Sequence, residues 1–328
     1  MKDKIKKIAL LTSGGDAPGM NACIRAVVRA GIYYNLEVYG IKRGYQGLIE
    51  NDIQLMSSRS VSNIIQRGGT ILKSARSKEF LLESGMDAAY QNLKNNDIDA
   101  LIVIGGDGTF TGANKFSINF DIPIIGIPGT IDNDLNGTDA TIGFDTATNT
   151  ALDAIDKIRD TANSHNRLFF IEVMGRDSGY IAVKTGISGG AEAILIPEKK
   201  TTINELIAIL DRGSKQKKSS SLVVIAEGGE SGGVIDLAKK VEEKFSYYDT
   251  RVTILGHLQR GGTPTCTDRV LASLLGVRAV EGLIEGKSNM MVGTINKKVV
   301  FTPFEKALKK KKTIDRELIR ISKILSNN

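Results

Sequence analysis

The chain has 328 residues, of which 41% are hydrophobic and 25% charged, close to the usage of ordinary globular proteins. This balance excludes a disordered, collagen-like or coiled-coil chain, and the length favours two lobes over one. The 44 basic residues against 37 acidic ones leave a net charge of +7, which favours anionic partners such as phosphorylated metabolites. Because tryptophan is absent and aromatic residues are few, nucleic acid is not expected as a partner.

The cysteines and histidines narrow the class further. Cys23 and Cys266 are the only cysteines, too few for a disulfide framework, so a cytoplasmic protein is expected. The apolar stretch beginning at Ile8 is too short for a signal-peptide core, and no run reaches the length of a membrane span. A membrane partner is therefore not expected. With His165 and His257 as the only histidines, zinc sites built on several imidazoles are excluded.

Short, continuous apolar runs recur along the chain, each followed by a turn and then by helical periodicity. They lie at residues 8–12, 101–104, 122–127, 168–173, 193–196, 222–226 and 252–255. Because apolar and polar residues do not alternate within them, the runs are predicted to be strands buried on both faces of parallel sheets.

Helical segments with readable starts separate these strands. Residues 147–162 carry an apolar stripe at helical spacing, and Asp145 or Thr146 is predicted to cap that helix. Thr202 and Glu205 predict a capping box at the start of another helix. The alternation predicts an α/β fold with two Rossmann-like, doubly wound lobes and largely parallel sheets.

The chain is predicted to pass from the larger lobe to the smaller one and back. Residues 1–141 form the larger lobe, to which residues 257–300 return, and residues 142–256 form the smaller lobe. Residues 301–328 lack the strand–helix rhythm and are predicted to be a C-terminal helical segment. The active site is expected in the cleft between the lobes.

A glycine-rich turn follows the strand predicted at 101–104. Residues 105–109 read GGDGT, and three glycines let backbone N–H groups approach phosphate oxygens at a helix N-terminus. Asp107 would be an anion among phosphates, a conflict that a bridging Mg²⁺ resolves. Alternatively, Asp107 simply caps the helix of an ordinary strand–helix turn.

Two further turns have the same placement. Residues 12–21 follow the first strand and contain a second Gly-Gly-Asp string, and residues 128–134 (PGTIDND) follow the strand ending at Ile127. Both are expected at the strand ends where α/β folds bind ligands. The carboxylates Asp132 and Asp134 are solvated turn residues on spacing alone, but beside phosphate one of them could deprotonate an attacking hydroxyl.

Taken together, these strings resemble the bacterial-type ATP-dependent 6-phosphofructokinase family. The resemblance runs collinearly from about Lys4 to Ile284 and includes residues 11–21, 68–70, 74–76, 105–109, 128–134, 174–176 and 256–262. It implies transfer of the γ-phosphoryl group of ATP to the 1-hydroxyl of fructose 6-phosphate, the committed step of glycolysis. It also implies an ATP- and Mg²⁺-binding larger lobe and a sugar-phosphate-binding smaller lobe.

The resemblance assigns roles at matching positions. Asp132 corresponds to the base, with Thr130 and Asp134 beside it, and Asp107 to the Mg²⁺ ligand. Arg176 and Arg76 correspond to arginines that neutralise the transferring phosphoryl group, for which a guanidinium is suited by its planar fork. The catalytic set also includes Gly14, and the ATP site comprises Gly14, Tyr45, Arg76, Gly106, Asp107, Gly108 and Thr109.

The sugar-phosphate site is assigned in the same way. One subunit contributes Thr130, Asp132, Asp134, Met174, Gly175, Arg176, Glu227, His257 and Arg260. Arg167 and Arg251 match arginines that reach in from a neighbouring subunit, so a homotetramer is implied. From the residues alone, Arg167 and Arg251 could equally be solvated strand ends, and His257 a satisfied loop histidine.

Two glycines bear on the phosphoryl donor. Pyrophosphate-dependent relatives carry Asp and Lys at the positions of Gly108 and Gly129. A carboxylate at 108 would repel and crowd the α-phosphate of ATP, so ATP is the predicted donor. The alternatives are a pyrophosphate-dependent or other sugar-phosphate kinase, and a nucleotide sensor without catalysis; a sensor would not need Asp107, Asp132 and Arg176 together.

An effector site is also implied. Positions that bind ADP or phosphoenolpyruvate between subunits of bacterial relatives match Arg25, Arg29, Arg159 and Glu192, with either Lys217 or Lys218 as a fifth position. The match predicts allosteric regulation by one of these ligands. As an alternative, the three arginines are ordinary exposed charges on helices.

Overall fold

The computed structural model describes residues 5–162, 167–216, 220–228 and 233–326. The chain divides into two compact units, one of Met1–Thr146 with Arg260–Lys312 and one of Ala147–Gln259 with Thr313–Asn328. The first two divisions come five and three residues later than the boundaries predicted after residues 141 and 256. The third comes after residue 312 rather than 300, and residues 313–328 belong to the second unit. No helix within the described residues is long and apolar enough to cross a membrane.

Strands and helices alternate along the described chain. The first part contains β1 (Lys7–Thr12), α1 (Met20–Tyr33), β2 (Glu37–Ile41), α2 (Gly44–Ile49), β3 (Ile53–Met56), α3 (Glu83–Asn95), β4 (Ala100–Gly105), α4 (Asp107–Asn119) and β5 (Ile124–Pro128). There follow α5 (Phe144–Ala162), β6 (Arg167–Val173), α6 (Tyr180–Ser188), β7 (Ala193–Leu195), α7 (Ile203–Lys215), β8 (Ser220–Ala226), α8 (Gly233–Lys244) and β9 (Asp249–Ile254). The last elements are α9 (Cys266–Ile284), β10 (Met290–Ile295), β11 (Lys298–Pro303), α10 (Phe304–Lys309) and α11 (Arg316–Ser326). Short 3₁₀ turns lie at Glu79–Leu81 and Gly256–Arg260.

The first unit is built on a seven-stranded sheet in the order β11-β10-β5-β4-β1-β2-β3. Its five inner strands pair in parallel, and the edge strands β3 and β11 pair antiparallel to their neighbours. Every residue of β4 and β5 is buried, as the continuous apolar runs predict. From β1 the chain proceeds to β2 on one side, whereas β4 lies on the other. The turns after β1 and β4 thus meet where the strand order reverses, the place at which open α/β sheets form ligand crevices.

The second unit contains a four-stranded parallel sheet in the order β7-β8-β6-β9. Leu168 and Phe170 of β6 and Val223 of β8 are fully buried among side chains of α7 and α8, including Leu206 and Val241. This cluster is separate from the core of the first unit, so each sheet has a hydrophobic core of its own.

The predicted α/β class with two largely parallel sheets is confirmed, but the C-terminal region differs from the prediction. Residues 301–303, assigned above to a helical segment, complete β11, which forms a hairpin with β10. The hairpin turn consists of Asn296 and Lys297, both with positive φ. This pair of conformations suits two-residue hairpins, although Asn-Lys is a weaker signal for it than Asn-Gly. Only α10 and α11 of this region are helical.

Helix starts were predicted with mixed success. The capping box of α7 is confirmed: Glu205 N donates to Thr202 Oγ1 at 3.2 Å, and Thr202 N donates to the Glu205 carboxylate at 2.7 Å. The cap predicted for α5 was wrong. Because α5 begins at Phe144, Asp145 and Thr146 lie inside its first turn and bind residues that precede or begin α9.

Candidate active site

The turns at residues 12–21 and 105–109 are hydrogen-bonded to each other in the first unit. Ser13 N donates to Ile104 O at 3.0 Å, and Thr109 Oγ1 donates to Ser13 O at 3.1 Å. A Cβ on Gly105 would lie 2.3 Å from Thr109 Oγ1 and 2.6 Å from Ser13 O, so only glycine permits this approach. Gly14 has φ +84°, a conformation that glycine adopts without strain. Both turns therefore lie side by side at the carboxyl ends of β1 and β4.

The loop at residues 128–134 joins the same group. Gly129 N donates to Gly105 O at 2.9 Å, and a Cβ on Gly106 would lie 3.3 Å from Thr130 Cβ. Thr130 Oγ1 accepts from Asp132 N at 3.3 Å, and Oδ1 of Asp132 is buried. The loop thus brings Thr130 and Asp132 to the glycine-rich turn that begins α4.

Asn133 and Asp134 fix the far side of that loop. Asn133 is buried with φ +53° and donates to Asp139 O at 3.4 Å, a left-handed conformation that asparagine tolerates. The Asp134 side chain is 13% exposed and forms an ion pair with Lys311 at 3.9 Å. Lys311 is one of four consecutive lysines at residues 309–312, so this basic run contacts the loop.

Asp107 occupies the first position of α4, whose N-cap residue is Gly106. The alternative in which Asp107 caps this helix is therefore wrong. Its carboxylate makes no hydrogen bond or ion pair within the described part of the chain and is partly exposed. No group of three or more His, Cys, Asp or Glu side chains in that part is placed to hold a metal ion. A cation at Asp107 would take its other ligands from phosphate and water, which suits Mg²⁺.

Tyr45 lies beneath the turn and supports it. Its hydroxyl donates to Thr109 O at 2.7 Å, and its ring stacks on Phe80 with a centroid separation of 3.9 Å. The side chain is buried, and burial raises the pKa of the phenol well above its ordinary value. Within this chain Tyr45 therefore contacts the predicted ATP turn from the core side.

Two loops border the turn after β1. Buried Asn21 donates to Arg67 O and Gly68 O and accepts from Ile71 N at 2.7 Å, which fixes the Gly-Gly-Thr string at 68–70. Arg260 donates to Asp16 O at 3.1 Å. The structure thus places Arg260 beside the first turn. Arg76, by contrast, is exposed and makes no hydrogen bond or ion pair within the described residues.

The second unit carries a turn after β6 that Glu227 holds. The Glu227 carboxylate accepts from Arg176 N at 2.9 Å and from Gly175 N at 3.4 Å. Arg176 has φ +56°, unusual for a non-glycine residue, and its side chain is 70% exposed. Met174 is buried, and its N–H donates to Gln259 at 3.3 Å. Four predicted sugar-phosphate residues therefore form one group at the carboxyl ends of β6 and β8, namely Met174, Gly175, Arg176 and Glu227.

Arg167 and Arg251 lie elsewhere in that unit. Arg167 begins β6, and Asp249 forms ion pairs with both arginines, at 3.6 and 2.6 Å. Since β6 has seven residues, this pair lies about 20 Å along the sheet from the turn after β6. His257 is exposed in the 3₁₀ turn after β9. A single chain does not bring Arg167 and Arg251 to Met174 and Glu227.

The predicted effector residues have separate local environments. Arg25 and Arg29 lie on α1, with Arg29 exposed. Arg159 donates to the carbonyls of Gly189 and Gly190 beyond the end of α6, so it is not merely an exposed helix charge. Glu192 accepts from Leu222 N at 2.9 Å. Lys218 lies outside the described residues.

Sequence reasoning missed several residues that shape these turns. Gln259 is fully buried and binds Met174 N, and Thr141 Oγ1 donates to Thr130 O at 2.6 Å. Buried Asp268 accepts three hydrogen bonds from the start of α5. Burial raises the pKa of Asp268 above its ordinary value, although the hydrogen bonds from Thr146 and Gly143 oppose this shift. The Thr-x-x-Asp string at 265–268 is the one sequence signal, since it marks a helix start.

Comparison with known proteins shows that this chain is similar to phosphofructokinases, a family of phosphotransferases. The phosphofructokinase family model matches residues 7–283. The chain is 55% identical over 322 residues to the ATP-dependent 6-phosphofructokinase 2 of Bacteroides thetaiotaomicron, covering 98% of this chain and 99% of that protein. It is 56% identical to the ATP-dependent 6-phosphofructokinase of Cytophaga hutchinsonii, covering 98% of each.

A solved structure agrees. Phosphofructokinase from Saccharomyces cerevisiae matches with a TM-score of 0.89 at 35% identity, covering 98% of this chain and 48% of the yeast chain. The chain thus spans about half the length of that one. It belongs to the phosphofructokinase family, and the resemblance found in its sequence is confirmed.

Proposed function

We propose that this chain transfers the γ-phosphoryl group of ATP to the 1-hydroxyl of fructose 6-phosphate, giving fructose 1,6-bisphosphate and ADP. The proposal depends on one observation: hydrogen bonds connect the glycine-rich turns after β1 and β4 to each other and to the loop that contains Asp132. The names of the full-length relatives, ATP-dependent 6-phosphofructokinases at 55 and 56% identity, support this substrate pair.

Asp132 is the base in this scheme. Its carboxylate takes the proton from the sugar 1-hydroxyl as the oxygen attacks phosphorus. Thr130, whose Oγ1 accepts from Asp132 N, orients the loop, and Asp134 holds its far side through Lys311. The loop thus presents one carboxylate in a fixed position to the reacting oxygen.

The phosphate chain of ATP lies along Gly14 and residues 106–109, where backbone N–H groups and the α4 N-terminus stabilise negative charge. Arg76 and Arg176 neutralise charge that develops on the transferring group; both side chains are exposed and able to reorient toward a ligand. Tyr45 supports this site through the Thr109 carbonyl.

Asp107 would hold Mg²⁺. Its carboxylate stands at the start of α4 without another described side-chain partner, and a hard oxygen ligand of this kind fits the ion. When bound, Mg²⁺ neutralises charge on the β- and γ-phosphates. The role of Asp107 is to hold the positive charge of the ion beside the phosphate-binding turn.

ATP is preferred to pyrophosphate for a steric and electrostatic reason. Gly108 is exposed in the first turn of α4 with nothing within 4 Å of an added Cβ, so the space beside it is available to the α-phosphate. At Gly129, a Cβ would lie 3.0 Å from Ile104 and 3.3 Å from Met20, which disfavours a larger residue there.

Fructose 6-phosphate is held by Met174, Gly175, Arg176, Glu227, His257 and Arg260 of one copy. Arg167 and Arg251 come from a second copy, because they lie about 20 Å along the sheet from the turn after β6. Such a shared site requires at least two copies, and the family resemblance implies a homotetramer. Arg25, Arg29, Arg159, Glu192 and Lys218 bind ADP or phosphoenolpyruvate and make the enzyme allosteric. Its free cysteines, buried Cys23 and exposed Cys266, suit the reducing cytoplasm.

A coupled assay tests the proposal directly. Fructose 6-phosphate and tagatose 6-phosphate are each supplied with ATP, GTP or pyrophosphate, with Mg²⁺ or with EDTA. Turnover is expected with fructose 6-phosphate and Mg-ATP, with little from pyrophosphate and none in EDTA. A preference for pyrophosphate would overturn the donor, and a preference for tagatose 6-phosphate would overturn the acceptor. Sigmoidal dependence on fructose 6-phosphate that ADP or phosphoenolpyruvate shifts is the expected sign of allostery.

A further inference from the structure

Asp268 is a buried carboxylate with no part in the chemistry proposed above. It is 1% exposed and lies in the first turn of α9. Its Oδ1 accepts from Gly143 N at 2.9 Å, and its Oδ2 accepts from Thr146 N at 2.8 Å and Thr146 Oγ1 at 2.6 Å. All three donors come from the start of α5, more than a hundred residues earlier in the chain.

Two helix N-termini stabilise this buried charge. Asp268 accepts from the first turn of α5 and itself belongs to the first turn of α9, whose cap Thr265 accepts from Asp268 N at 3.2 Å. Free N–H groups and the helix dipoles favour an anion there. Thr265 N also donates to Thr146 Oγ1 at 3.0 Å, so each helix start is bound to the other.

The residues just before α5 hold the loop that carries Asp132. Ile142 N donates to Pro128 O at 2.9 Å, and Thr141 Oγ1 donates to Thr130 O at 2.6 Å. Ile142 also packs against Gly19, where a Cβ would lie 2.6 Å from its side chain. Asp268 binds Gly143, the next residue in the chain, so its position is transmitted to Thr130 through a short, buried segment.

We propose that Asp268 is a positioning residue for phosphoryl transfer, which holds Thr130 and Asp132 in place through residues 141–146. The inference rests on the proposed function of Asp132. A displacement of about 1 Å in a catalytic group lowers the rate by about a hundredfold, so a distant anchor of this loop affects kcat.

Asp268→Asn tests the anchor because an amide has one acceptor where the carboxylate has two. With its oxygen toward Thr146, the amide presents an NH₂ group to Gly143 N–H, and that donor loses its partner. The variant is expected to lower kcat about 10- to 100-fold, with the KM for ATP nearly unchanged, because Asp268 contacts no residue assigned to ATP. Unchanged kcat in a folded variant would overturn the proposal.

A double-mutant cycle with Thr141→Val separates positioning from general destabilisation. Thr141→Val removes the bond to Thr130 O but keeps the β-branched shape. If Asp268 acts through Thr141, the double variant loses about as much kcat as the more impaired single one. Losses that multiply would show independent effects and contradict the proposal.

Thr138→Val is the matched control. Thr138 is also buried, and its hydroxyl donates to Ala140 O and accepts from Thr294 N, but it contacts neither Thr130 nor Asp268. It should lower the unfolding midpoint while kcat stays at the wild-type value. A loss of kcat equal to that of Asp268→Asn would assign the effect to stability and overturn the proposal.

Thr146→Val covers the case in which Asp268→Asn does not fold. It keeps the carboxylate but loses the bond from Thr146 Oγ1 to Asp268 and the bond that this oxygen accepts from Thr265 N. The value of kcat should therefore fall at least about fivefold, the equivalent of one hydrogen bond. Wild-type kcat in this variant would contradict the anchor. The proposed function is judged separately, because it fails only if the wild-type chain itself does not turn over ATP and fructose 6-phosphate.

Discussion

At the scale of single residues, the candidate site depends on its glycines as much as on its charged and polar side chains. Gly105 permits the contact between Thr109 and Ser13, and Gly108 leaves open space in the first turn of α4. The sequence predicted these glycines from their place after a buried strand. It could not predict Asp268, because that carboxylate acts on residues 122 and 125 positions away.

Gly108→Asp should weaken the use of ATP as phosphoryl donor without damaging the fold. Nothing lies within 4 Å of an added Cβ, and replacing a helical glycine stabilises a helix by about 0.5–1 kcal/mol, so the unfolding midpoint should hold or rise. The carboxylate should raise the KM for ATP at least about tenfold through repulsion of the α-phosphate, worth about 1.4 kcal/mol or more.

Gly108→Ala is the control for that variant, since it adds the Cβ without the charge. Its unfolding midpoint should rise as well, with the KM for ATP within about twofold of wild type, because a methyl group carries no charge to repel phosphate. Steady-state kinetics with both variants separate the two effects. Equal increases of KM in the two variants would assign the discrimination to size alone and refute the electrostatic part of the argument.

At the scale of elements, the continuity of the apolar runs decided which strands could be predicted. The seven strands recognised in the sequence are short, continuous apolar runs, which form the three central strands of the large sheet and all four strands of the small sheet. The other four, β2, β3, β10 and β11, form the two ends of the large sheet. In each of them a glycine or a polar residue interrupts the apolar run. The hairpin of β10 and β11 also lacks a strong turn signal, since Asn296 is followed by lysine rather than glycine.

Lys297→Gly should stabilise that hairpin. Lys297 has φ +64°, and glycine adopts this conformation without the Cβ strain, so the free energy of unfolding should rise by about 0.5–1 kcal/mol. Urea denaturation measures the difference. Lys297→Ala removes the charge but keeps the Cβ and should give no increase. If alanine stabilises as much as glycine, the loss of the lysine charge, and not the backbone conformation, is responsible.

At the scale of the whole molecule, the chain comprises two units with a sheet and a core each. The phosphate turns belong to the first unit and the turn at Met174–Arg176 to the second. Sequence analysis predicted both groups, because each follows a buried strand. Contacts within one chain leave Arg167 and Arg251 on Asp249, away from that turn, so their predicted role depends on a second copy.

Subunit complementation tests that role. Arg251→Ala and Asp132→Ser should each be nearly inactive alone. Co-expressed, they should regain a measurable part of wild-type activity, because a mixed assembly contains sites with an intact Asp132 from one copy and an intact Arg251 from the other. Arg251→Ala co-expressed with Arg167→Ala is the control: every site then lacks one arginine, and no activity should return. Failure of the first pair to recover would place the arginines outside a shared site.

The role of Asp132 is tested most directly by Asp132→Ser, with turnover and ATP binding measured on the same preparation. A hydroxyl cannot accept the sugar proton at neutral pH, whereas the glycine-rich turns that bind the nucleotide are untouched. Turnover with Mg-ATP and fructose 6-phosphate should fall by about 10²- to 10⁴-fold while the calorimetric Kd for ATP stays within about twofold of wild type. Equal losses of turnover and of ATP affinity would contradict a base at this position.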